Sequence, residues 1–82
     1  MTADELSSNQ PAYISTLPTD IQLAIQLLEQ GFAVGTEIEL AHRAPFNGAI
    51  AFRLHNTKIS MSQSIARQIT VIKKPPFGGL NL

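Results

Sequence analysis

A small antiparallel β-barrel, mainly β with short helices, is the fold class this chain predicts, and three observations predict it. Residues 36–43 and 49–55 alternate apolar and polar side chains with the two-residue period of half-buried strands. One amphipathic segment precedes them and stops at Gly31, the residue type that most readily takes the left-handed turn ending a helix. The connections between strands are too short for the crossovers that parallel strands need, so the sheet is expected to meander.

Residues 1–10 are polar and are expected to form a flexible N-terminal segment. A short strand follows at residues 12–17, with Ile14 inward. Thr19 and Gln22 have the spacing of a capping box, and Asp20 suits the positive end of the helix dipole. On a helical wheel Ile21, Ala24, Ile25 and Leu28 share one face. Leu23 and Leu27 widen the apolar arc to roughly 200°, where a helix lying on a core needs ~100°. Either the N-terminal segment or the tail covers the surplus, or Leu23 and Leu27 are exposed and mark a partner surface.

In the next strand Ile38, Leu40 and His42 point one way and Glu37, Glu39 and Arg43 the other. After it, Ile50, Phe52 and Leu54 oppose Ala51, Arg53 and His55. Asn56-Thr57 supplies a tight turn into a strand at residues 58–60, because Asn accepts a positive φ. Ser60 and Gln63 resemble a second capping box, opening a short helix whose Met61, Ile65 and Ile69 face inward. Residues 69–73 close the sheet with Val71 inside. Five short strands plugged by a helix describe an SH3-like barrel, assigned to residues 11–74. Residues 75–82 form a Pro/Gly-containing tail. Its paired prolines favour polyproline II and its paired glycines favour flexibility. With three separated apolar residues, the tail either lies back on the barrel, docks on a second copy or hangs free.

A chain of 82 residues holds one domain, and one this small buries only about 60% of its unfolded surface. It contains no cysteine, which excludes a disulfide framework, a thiolate metal site and a cysteine nucleophile. No apolar run approaches the ~20 residues that span a bilayer, and the N-terminus lacks a signal-peptide pattern, so the cytoplasm is the expected location. Net charge is zero, but the six acidic residues all precede the six basic ones. That asymmetry is met either by cross-strand pairing or by a dipolar surface facing an acidic partner or an anionic membrane. The neutral total argues against nucleic-acid binding.

Reactive chemistry finds little support. His42 and His55 have no helical spacing to a carboxylate, so neither a metal site nor a cofactor is expected, although ferrous iron at one of them is a reading a metal titration would test. There is no phosphate-binding lysine loop, dinucleotide fingerprint or nucleophile turn, and Ser60, Ser62 and Ser64 read as helix caps. No catalytic residue is assigned, and the chain is read as a binding protein and not an enzyme.

The run Leu27-Leu28-Glu29-Gln30-Gly31-Phe32, then Gly35-Thr36, then Ala44-Pro45-Phe46-Asn47-Gly48 resembles the FeoA family. The match continues through the strand pair at residues 49–60 and Ile65-Ala66-Arg67-Gln68-Ile69-Thr70-Val71. The chain departs from the family at Gln26, Ser62, Gln63 and Ser64, where basic residues are usual, and at Val34 and Ala49, where proline is favoured. The resemblance implies an SH3-like accessory of ferrous iron uptake, cytoplasmic or held at the inner membrane through its partner. It would bind and modulate the GTP-binding cytoplasmic part of a membrane Fe(II) transporter. The alternative is a generic SH3-like module regulating a metal-responsive repressor or another protein, because that fold is shared. Arg43, Phe46 and Asn47 on the rim, with Leu23 and Leu27 on the helix, are the candidate partner-binding residues. Phe46 either meets a partner or folds over the barrel mouth as a cap.

Overall fold

The computed structural model describes residues 1–74, and the expected tail lies outside the described residues. Five strands form one antiparallel sheet: β1 (Ala12–Thr16), β2 (Glu37–Arg43), β3 (Ile50–Leu54), β4 (Thr57–Met61) and β5 (Thr70–Ile72), in the spatial order β4-β3-β2-β1-β5. Alternation places Ile14, Ile38, Ile50, Phe52 and Val71 on the inner face, each 1% exposed or less. Phe32 and Phe52 meet edge-to-face at the centre, with ring centroids 6.5 Å apart and planes at 83°. The result is the SH3-like barrel that the strand pattern predicts.

Helix α1 (Ile21–Glu29) begins one residue later than the Thr19 cap implies. Asp20 is the N-cap, and its carboxylate accepts from the backbone N–H groups of Gln22 and Leu23 at 3.0 and 3.3 Å. Gly31, at φ 104°, turns the chain out of the helix as expected. The second helix, α2 (Gln63–Ala66), is capped by Ser62 and not by Ser60, the Ser62 hydroxyl accepting from Ile65 N–H at 3.2 Å.

Three local expectations are corrected. The β3–β4 turn is His55-Asn56, not Asn56-Thr57: both central residues have positive φ, and Leu54 pairs with Thr57 across it. His42 is exposed rather than inward, because the β2–β3 register shifts between Leu40 and His42 and a bulge reverses the side-chain parity beyond it. The first ten residues, expected to be flexible, are largely pinned to the barrel. Ala3 and Leu6 are core residues, Ala3 N–H donates to Ile69 O at 2.8 Å, and bridges join Thr2 to Thr70 and Ser8 to Leu40. Burial of Ala3 and Leu6 and the backbone hydrogen bonds to Ile69 and Val71 act together against the entropy of ordering the segment.

Candidate docking site

The connection between β2 and β3 is a tight turn built on Pro45-Phe46-Asn47-Gly48. Gly48 N–H donates to Pro45 O at 3.1 Å, and beneath it Ala44 N–H donates to Ala49 O at 2.9 Å. Phe46 and Asn47 both lie in the left-handed region, at φ 60° and 58°. Asn tolerates that region, whereas a bulky aromatic there pays about 1–2 kcal/mol of Cβ strain. Gly48 has no alternative, since a Cβ on it would stand 2.8 Å from Ala44 Cβ and 3.1 Å from Pro45 O. The turn therefore lifts the phenyl ring outward, and Phe46 is 98% exposed. It is not folded over the barrel as a cap.

Arg43 sits at the base of this turn but is not a free cation. Its guanidinium Nη2 donates to the carbonyls of Asp4 and Leu6 at 2.9 and 3.1 Å, clamping the N-terminal segment. Arg43 is thus a support of the turn's base, and the displayed pair is Phe46 with Asn47.

The helix candidates are reversed. Leu27 is buried and Leu23 is half-buried against the core, so neither forms an outer surface. The exposed apolar residues of α1 are Ile21, Ile25 and Leu28, whose i, i+4, i+7 spacing makes a continuous stripe. Val34, half exposed in the following connection, adds to the exposed apolar surface of this part of the chain. All six positions are apolar, so the wheel alone gave no direction. The signal that could have set it is Phe32, fully buried, whose N–H donates to Leu27 O at 2.9 Å and so brings Leu27 down with it.

A polar groove of about 350 Å³ opens on the outer face of β2 and β3. Glu37, Ile38, Glu39, Arg53, Leu54, His55 and Asn56 line it. Glu39 and Arg53 face each other across the strands, with Nη1 to Oε1 at 3.1 Å. Among the described residues no three His, Cys, Asp or Glu side chains cluster as ligands for a metal ion, and no helix is long and apolar enough to cross a membrane.

A five-stranded antiparallel sheet around one apolar core, with a rigid turn raising an aromatic into water, places the protein among small SH3-like domains. The sequence goes further. It matches the FeoA domain over residues 1–79, and the chain belongs to that family. No curated protein sequence matches it. Among solved structures it is similar to iron(II) transport protein A from Clostridium thermocellum, at 30% identity and a TM-score of 0.83, over 89% of this chain and 45% of that one. The FeoA of Stenotrophomonas maltophilia, solved with zinc and described as a prokaryotic SH3 domain protein proposed to activate ferrous iron transport, aligns at 24% identity and a TM-score of 0.72, over 87% and 88% of the two chains. The manganese-activated repressor ScaR aligns at 23% identity and a TM-score of 0.78, over 89% of this chain and 35% of its own. The last two likenesses concern the fold, and this chain spans less than half of the Clostridium protein and of ScaR.

Proposed function

We propose that this protein is a non-catalytic accessory of ferrous iron uptake, acting in the cytoplasm by binding the GTP-binding part of a membrane Fe(II) transporter and modulating it. Family membership supports the transport role. The observation that carries the docking role is Phe46, which is both strained, at φ 60°, and almost wholly exposed. A residue that costs stability in two ways and packs against none of the described residues is explained by what it meets elsewhere. Asn47 beside it offers the polar rim, and the α1 stripe of Ile21, Ile25 and Leu28 is a second apolar contact.

The test is binding of the full chain to the transporter's cytoplasmic domain. Phe46→Ala is expected to weaken it by about 2 kcal/mol, the scale of an aromatic anchor. Unchanged affinity removes the assignment of the turn. The similarity to ScaR favours a second reading, an SH3-like module that acts on a metal-responsive repressor. Recovery of a repressor and no transporter from a pull-down selects it.

A further inference from the structure

Among the described residues three asparagines hold the left-handed conformation at the surface: Asn9, Asn47 and Asn56, at φ 63°, 58° and 62°. Exposure and backbone angle are matched, and what differs is the residue that follows. Gln10 follows Asn9 and Thr57 follows Asn56, each with a Cβ beside its own amide nitrogen, branched in the case of Thr57. Asn47 is followed by Gly48, whose nitrogen has no such screen. The fold also forbids the screen, because a Cβ at position 48 would stand 2.8 Å from Ala44 Cβ. The turn that raises Phe46 therefore sets an exposed side-chain amide directly before the least hindered backbone nitrogen a residue can offer.

We propose that Asn47 is a site of spontaneous covalent modification in the folded chain, converted to isoaspartate and aspartate by attack of the Gly48 amide nitrogen followed by water. Hydroxide takes the proton from the Gly48 nitrogen, which forms a bond to Asn47 Cγ. The Cγ–Nδ2 bond breaks, the leaving nitrogen takes a proton from water and departs as ammonia, and a succinimide ring joins the two residues. Water then opens the ring. Addition at Cγ restores the main chain and leaves aspartate. Addition at the Asn47 main-chain carbonyl leaves isoaspartate, with the chain now running through Cγ. Water and the hydroxide it supplies are the only co-reactants, and nothing is oxidised or reduced.

The obstacle is the turn's own hydrogen bond. Gly48 N–H donates to Pro45 O at 3.1 Å and must leave it before the nitrogen swings towards Cγ. One backbone hydrogen bond, in net terms, slows the reaction about fivefold, which is a delay and not a block. Strain at Phe46, at φ 60°, is released as the turn opens and works against even that. At Asn56 the same opening has to part Thr57 from Leu54, the pair that begins the β3–β4 ladder. Either product puts a negative charge beside Phe46, and isoaspartate also adds a carbon to the backbone of a tight turn. The chemistry rests on the geometry of the turn alone, so its failure leaves the transport reading untouched.

The test is incubation of the full chain at neutral and at alkaline pH, below its unfolding transition, with peptide mapping by mass spectrometry and assay of released ammonia. Asn47 is expected to convert at least severalfold faster than Asn9 and Asn56 and faster at the higher pH, with ammonia released in equal amount and isoaspartate among the products. Unfolding the chain in urea should accelerate Asn47 about fivefold, the share held back by the bond to Pro45. Thr57→Gly should speed the conversion of Asn56. An Asn47 that converts no faster than Asn9 and Asn56, or only in the unfolded chain, overturns the proposal. So does a Thr57→Gly chain in which Asn56 stays as slow as before, since the bare nitrogen would then carry no weight.

Discussion

The two tight turns that flank β3 use the same backbone device for different ends. Phe46-Asn47 and His55-Asn56 both place two consecutive non-glycine residues at positive φ, and each ends in an Asn that tolerates the conformation. The β3–β4 turn carries an imidazole, a side chain at ease in water. The β2–β3 turn carries a phenyl ring in the same conformation and leaves it almost wholly exposed. It is also the more heavily braced of the two, by Gly48 packed under it and by Arg43 clamped at its base. Hairpin geometry explains the positive φ values in both turns. It does not explain the choice of phenylalanine in one.

If bracing distinguishes the turns, the largest effect belongs to Gly48→Ala. Its methyl group would meet Ala44 and the Pro45 carbonyl inside contact distance, and the expected loss is about 1–3 kcal/mol in denaturant unfolding. Thr57→Ala, at the matching position of the other turn, should stay within about 0.5 kcal/mol. Equal losses at the two sites would erase the contrast.

Arg43→Ala sharpens the same point. Removing two charge-assisted hydrogen bonds from an exposed guanidinium is expected to cost about 1 kcal/mol, the low end for such bonds. Amide exchange at Leu6, whose N–H donates to Ala3 O, and at Ala44 should quicken, while exchange in the β3–β4 hairpin should not. Uniform quickening over the barrel would make Arg43 a general support rather than a local one.

Much of this architecture is legible in the residues themselves. Period-two alternation locates β2 and β3 to within a residue, because one face of each must be buried. The Gly31 stop and the inward Ile14 follow from equally local physics. Three features escaped for identifiable reasons. The bulge after Leu40 leaves no composition mark on β2, so His42 is placed on the wrong face. Six apolar residues on α1 fix that the helix packs and leave open which side does, a choice made by the closing chain at Phe32. The N-terminal segment is polar on average, yet Thr2 and Glu5 have the spacing of a capping box, and Thr2 N–H does donate to Glu5 Oε1 at 2.9 Å. That pattern, followed by Leu6, was the available sign of order.

Within the candidate site, the loop and its aromatic are readable from Pro45-Phe46-Asn47-Gly48 because proline and glycine punctuate turns. Whether the ring caps the barrel or leaves it depends on φ at Phe46, which no spacing reveals. The role of Arg43 depends on the path of residues 4–6, 37 to 39 positions away in sequence and adjacent in space.

The stability and the affinity of a single variant, Phe46→Asn, test the account most directly. Asn is comfortable in the left-handed region and the ring buries nothing, so the variant should unfold at higher denaturant, by roughly 1 kcal/mol, while its binding to the transporter's cytoplasmic domain falls. A variant that is less stable, or one that binds as tightly as the parent, would contradict the claim that this ring is held out for a partner.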